Sequence, residues 1–202
     1  VYDNRNLGAS DGEPRGEIDP WRQINDYRDA ITFAGGLPEI DKNRIGVWGS
    51  SYSGGHVIVV GALDRRVKCV VCQVPLISGL RNARRLIRSD LFAATRAMFN
   101  ADRESRYAGN PPAMIPVVAE NPGDPCALPT EDSTQFFFDT HELRAPSWRN
   151  EVTLKSVEMF IEYEPGVYIS NIHPTPFFLA VASGDHLVPV DIACEAYEQA
   201  LE

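Results

Sequence analysis

Three serines, Ser50, Ser51 and Ser53, lie in the stretch RIGVWGSSYSGGHVIVV, residues 44–60. They fall at the junction of two apolar runs. RIGVW reads as a short apolar strand, and SYSGGHVIVVGALD, apolar nearly all round, reads as a helix at the centre of a domain. A serine held on so tight a strand-to-helix turn adopts a strained backbone and presents its hydroxyl beside the first free N–H groups of the helix, the arrangement called a nucleophile elbow. Small residues must flank it because strand and helix approach closely. In the G-x-S-x-G pattern, Gly49 and Ser51 fill the first two fixed positions and Ser53 stands at the third, followed by Gly54 and Gly55. Ser51 is therefore the expected nucleophile. Ser50 is the variable residue inside the turn, Ser53 sits one step into the helix, and neither register places glycine on both sides. The competing reading is a glycine-rich bend without chemistry. The helix N-terminus suits a developing oxyanion, with the Tyr52 N–H as one expected donor.

A serine nucleophile needs a base, and the base needs an orienting acid. In elbow enzymes the chain order is serine, then aspartate or glutamate, then histidine. The stretch FFLAVASGDHLVP supplies Asp185 in a polar loop after a buried strand, where the acid belongs. The alternatives for Asp185 are a turn residue or a helix cap. None of the four histidines suits the base. His56 lies within the buried helix, His141 in a polar insertion and His173 just before a strand. His186 adjoins Asp185 too closely for one to orient the other. The base is expected beyond residue 202. The opening VYDNRN reads as the end of a strand, so the chain is expected to be truncated at both ends. An intact chain with no histidine in a loop following the last strand after Asp185 would favour a second reading, a non-catalytic binding member of the fold.

The elements that must position these residues follow from pattern. Asp19 and Pro20 start a helix whose Trp21, Ile24, Tyr27, Ile31 and Ala34 recur at helical spacing, and Gly35 and Gly36 stop it. With the strand VKCVVCQV, residues 20–74 read helix, strand, helix, strand, the alternation that builds a parallel sheet with helices on its faces. Residues 79–165 break the pattern with helical stretches and the proline-rich GNPPAMIPVVAENPGDPCALP, and read as a helical cap inserted into one domain spanning residues 1–202. The strand TPFFLAVAS and a last helix, VDIACEAYEQALE, resume the alternation.

Composition narrows the partners. The chain has 202 residues, 44% hydrophobic and 23% charged, which is ordinary for a soluble globular domain. A net charge of −9 argues against nucleic acid or an anionic membrane as partner. No apolar run is long enough to span a bilayer. Cys69 and Cys72 form a C-x-x-C inside a strand, where residues three apart face opposite ways, so neither a metal ion nor a redox disulfide is expected there. Scattered cysteines fit a reducing, cytoplasmic location. Arg81, Arg84, Arg85 and Arg88 share one helix face, which either meets an anionic group or is solvated and paired. Phe136, Phe137 and Phe138 either line an apolar acyl pocket or anchor the cap.

Three blocks together resemble the α/β-hydrolase superfamily: YDNRNLGASDGEPRGEIDPWRQINDYRDAITF, then RIGVWGSSYSGGHVIVVGALDRRVKCVVCQVPLISG, then PFFLAVASGDHLVP. The resemblance is to a branch of dienelactone-hydrolase-like proteins and fungal polyketide transferases, in which S-Y-S-G-G at the elbow is common. YDNRNLGASDG is also similar to the D-x-R-G-x-G-x-S-x-G loop of X-prolyl dipeptidyl peptidases and cocaine esterases. It implies an α/β fold with a mostly parallel, doubly wound sheet and a cap. It implies Ser51 as nucleophile, Asp185 as acid, a histidine beyond residue 202, and a second oxyanion donor from a loop before residue 1. The implied activity is cleavage of a small-molecule ester or thioester through an acyl-enzyme, with acyl transfer to another acceptor as the alternative. No metal or organic cofactor is required, and a homodimer is compatible with the reading.

Overall fold

Pro20 has its φ already set for a first helical turn and lacks only an N–H that the turn would leave unused. In the computed structural model, which describes residues 1–121 and 123–200, helix α1 accordingly runs Pro20–Gly35. In chain order there follow β1 (Gly46–Ser50), α2 (Tyr52–Leu63), β2 (Cys69–Gln73), α3 (Gly79–Leu86), α4 (Phe92–Tyr107), β3 (Met114–Ile115), α5 (Glu131–Arg144), β4 (Val152–Thr153), α6 (Leu154–Glu162), β5 (Phe177–Ala180) and α7 (Val190–Ala200). Leu201 and Glu202 of the expected last helix, and Pro122 of the proline-rich stretch, lie outside the described residues.

Two compact units are formed. One comprises Pro20–Asn82 and the described residues from Glu162 onward. It holds a three-stranded parallel sheet in the order β1-β2-β5. The pairing sets Val70 between Val47 and Phe177, and Val71 between Trp48 and Phe178. Alternation then sorts the side chains. Val47, Val70 and Cys72 are buried on the face that carries α2, whereas Trp48 and Phe178 are 59% and 61% exposed on the other. Cys69 is exposed and Cys72 buried, as residues three apart on a strand must be. Burial pushes the Cys72 thiol up to about 12. From Gly54 to Ala62 every residue of α2 is buried, which accounts for its lack of a polar face.

The other unit comprises Val1–Asp19 and Ala83–Ile161. It holds α4, α5 and a short antiparallel ribbon in which Met114 pairs with Thr153 and Ile115 with Val152. Its core is Val117, Val118 and Val152, against which Phe137, Phe138 and Trp148 pack, while Phe136 is exposed. Two of the three phenylalanines thus anchor this unit. In the arginine series, Arg88 pairs with Asp90 at 2.8 Å. Among the described residues no helix is long and apolar enough to cross a membrane.

One polar residue sits at the centre of the sheet unit. His56 on α2 is fully buried, with Nε2 2.9 Å from Gln23 Oε1 and Nδ1 3.2 Å from the Tyr163 hydroxyl. An amide oxygen can only accept, so Nε2 carries the proton and Nδ1 accepts from Tyr163. This explains a departure from the helical stripe of α1. Gln23 takes a buried place to meet His56, and Trp21 is left 49% exposed, edge-on to Tyr163 and Tyr168.

Burial drives the His56 pKa from its usual 6.5 to about 3. The unfolded chain binds a proton near pH 6.5, and the folded chain resists it until about pH 3. The stability contributed by neutral His56 is complete above pH 6.5 and is lost progressively as pH falls toward 3. Urea unfolding between pH 6.5 and 4 should show the native protein losing about 1.4 kcal/mol per pH unit more than His56→Gln. Equal acid sensitivity of the two proteins would contradict this account.

Candidate functional site

Between the last residue of β1 and the first of α2 stands one residue, Ser51, with φ 54° and ψ −119°. A side chain in this region of positive φ costs about 1–3 kcal/mol and persists only where the surroundings enforce it. Here the surroundings are backbone hydrogen bonds. The Ser51 N–H donates to the Gln73 carbonyl at 2.9 Å, and the Ser51 carbonyl accepts from the Leu76 N–H at 2.9 Å and from the Gly55 N–H at 3.3 Å. Gly49 is the residue that lets strand and helix come this close, because a Cβ on it would collide with the Ser53 carbonyl. A Cβ on Gly54 would likewise lie 2.8 Å from Pro75 Cα.

Serine is accommodated at position 53 because its side chain turns toward α1. Its hydroxyl lies 2.5 Å from the Tyr27 hydroxyl, which itself donates to the Trp48 carbonyl at 3.2 Å. With the tyrosine proton so committed, the Ser53 O–H is the donor to Tyr27. Burial raises the Tyr27 pKa, a shift that the bond to Ser53 partly offsets. Ser50 ends β1 in register with Gln73. Of the three serines, Ser51 alone has a positive φ. Tyr52 opens α2, so its N–H belongs to the first turn, whose amides have no partner within the helix. Its ring packs on His56 and Tyr163, with centroids 4.8 and 5.7 Å away.

Asp185 lies in the loop that follows β5. Its N–H donates to the Ala182 carbonyl at 3.3 Å, and its Oδ1 accepts the N–H groups of Leu187 at 2.9 Å and Val188 at 2.7 Å. These bonds are those of a turn aspartate and leave Oδ2 for a further donor. The parallel register Ser50, Gln73, Ala180 puts Ser51 and Asp185 in loops at the same carboxyl edge of the sheet, where ligands of such sheets are bound.

The histidines do not gather there. Both ring nitrogens of His56 are engaged in the core. His141 Nδ1 lies 3.0 Å from the Ala145 carbonyl, His173 gives its carbonyl to Arg65, and His186 is exposed beside Asp185. Among the described residues no histidine is hydrogen-bonded to Ser51 or Asp185, and no group of three His, Cys, Asp or Glu side chains is arranged to hold a metal ion.

Sequence reasoning missed Val74. This β-branched residue has φ 40° at the end of the central strand, with its N–H on the Ala180 carbonyl at 2.7 Å. The turn it makes brings Leu76 back to the Ser51 carbonyl. A valine before proline is expected to be extended, so nothing local announces the turn.

Comparison with known proteins adds the following. The family model described as acetyl xylan esterase (AXE1) matches residues 21–105. A thiohydrolase of Eupenicillium brefeldianum is 31% identical over 194 residues, which is 95% of this chain and 61% of the relative. The acyltransferase drtE of Aspergillus calidoustus is 30% identical, over 98% of this chain and 64% of the relative. The crystal structure of the α/β hydrolase GrgF from Penicillium sp. sh18 superposes with a TM-score of 0.81 at 25% identity, covering 98% of this chain and 66% of that one. The chain thus spans about three fifths of the length of these curated relatives.

The Gly49 contact yields a direct test of the turn. Gly49→Ala must push α2 off β1 and should cost about 3 kcal/mol in urea unfolding. Ser53→Ala loses one hydrogen bond and should cost about 1 kcal/mol. The reverse ranking would show that the turn is not closed against Gly49.

Proposed function

We infer a function from the premise that this chain belongs to the α/β-hydrolase superfamily, in its polyketide-transferase-like branch. The protein of which these residues are part is a serine enzyme that takes an acyl group from a small-molecule ester or thioester. The observation that carries this is the backbone of Ser51, φ 54° and ψ −119° at a one-residue junction of strand and helix.

In this reading Ser51 Oγ attacks the carbonyl carbon while a histidine takes the hydroxyl proton. The oxyanion that forms is met by the Tyr52 N–H at the start of α2. Asp185, its Oδ1 fixed by two amides, offers Oδ2 to the histidine and stabilises the imidazolium. The histidine then gives its proton to the leaving alcohol or thiol, and an acyl-Ser51 ester remains. Water, deprotonated by the same histidine, releases the acid. His56 does not serve as this base, since both its nitrogens are committed in the core. This reading takes the base from outside residues 1–202, and the support for that is that the chain spans 61% of the thiohydrolase relative's length. The thiohydrolase relative supports thioester cleavage. The acyltransferase relative favours a second reading, in which another acceptor replaces water. The scattered cysteines support a cytoplasmic setting.

The full-length protein should be labelled at Ser51 by a fluorophosphonate probe. Ser51→Ala should abolish labelling and lower turnover of an activated thioester by at least about 1,000-fold, while Ser53→Ala keeps both. Labelling that survives in Ser51→Ala would remove Ser51 from the role.

A further inference from the structure

The Ser51 carbonyl is held by Leu76, and six residues later the same segment reaches the loop of Asp185. Asn82 on α3 is 1% exposed, and its Nδ2 donates to the Leu187 carbonyl at 2.7 Å. The N–H of that same Leu187 donates to Asp185 Oδ1 at 2.9 Å. Leu187 is thus gripped on both sides, by the carboxylate through its amide and by Asn82 through its carbonyl.

The segment between the two grips is stiff. Leu76, Ile77 and Ser78 are buried. The Ile77 carbonyl accepts from the Gly166 N–H at 2.8 Å, and the Gly79 N–H donates to the Tyr163 carbonyl at 2.8 Å. The first turn of α3 is closed by Glu164 Oε1, which accepts the Leu80 N–H at 3.0 Å, and by Ser78 Oγ, which accepts the Arg81 N–H at 3.1 Å. A second link to the same region, Arg81 with Glu195 on α7 at 2.7 Å, joins two half-exposed side chains and is weak. The buried tie is therefore Asn82. Its Oδ1 meets no hydrogen-bond donor among the described residues, an arrangement that costs stability. A leucine would fill the place without that cost, but it could not hold the loop.

We propose that Asn82 is a positioning residue that sets the Asp185 loop at a fixed distance from Ser51 by tying the Leu187 carbonyl to the Leu76–Asn82 segment. This rests on the reading of Ser51 as nucleophile and Asp185 as acid. Asn82 is buried and acts through the Asp185 loop.

A double-mutant cycle on the full-length protein tests it, with p-nitrophenyl acetate as substrate and thermal unfolding run in parallel. Asn82→Leu should lower kcat by about 100-fold with KM changed less than about 2-fold. In an Asp185→Asn background the same substitution should lower kcat by less than about 3-fold, because the group it positions is already gone. If Asn82→Leu does not yield folded protein, Asn82→Ala runs through the same cycle. Losses that multiply across the two sites would overturn the positioning role and leave the acid reading in place. Wild-type kcat in Asp185→Asn itself would overturn both.

Discussion

The close approach of β1 to α2 is the constraint on which the sheet unit depends. With no Cβ on Gly49, the strand lies against the Ser53 carbonyl, and one residue remains to reverse the chain from strand to helix. That residue is driven to positive φ, and bonds from Gln73 and Leu76 hold it there. The same approach seats α2 against Pro75 and Leu76 through Gly54 and Gly55, each of which would clash if it carried a Cβ. A helix seated so deeply is buried nearly all round. The one ionisable side chain on its buried stretch, His56, must then find partners inside, and Gln23 and Tyr163 supply them. The polar centre of the unit and the strained serine are two consequences of one packing contact.

Strain is concentrated at one edge. Ser51 and Val74, both at positive φ, stand at the carboxyl ends of adjacent strands. Asp185 follows the third strand of the same edge. Side chains elsewhere in this sheet obey simple alternation, and the departures are confined to where chemistry is proposed. Such placement is expected when a fold tolerates local cost for the sake of a held geometry.

The unit formed by Val1–Asp19 and Ala83–Ile161 has a core of its own. Phe137 and Phe138 pack on Val117, Val118 and Val152, and the first 19 residues belong to this unit although β1 and β2 lie between them and Ala83–Ile161 in sequence. An order of elements read along the chain cannot show that Ile18 packs on the same cluster as Val118.

Several features were legible in the residues themselves. Pro20 and the glycines at 35 and 36 bounded α1, short apolar runs marked the strands, an all-apolar run marked α2, and G-x-S-x-S-G-G singled out Ser51 at its turn. Each is a local signal, carried by steric limits on one or two residues or by a short repeat. What only the tertiary structure decided are matches between distant positions: Gln23 buried to meet His56, Tyr27 receiving the Ser53 hydroxyl, Val74 twisted so that Leu76 can hold Ser51, and Asn82 reaching Leu187. A buried polar group must find its partner wherever the fold brings one. The identity of that partner is fixed by packing across many residues of intervening chain, and no local pattern in the sequence records it.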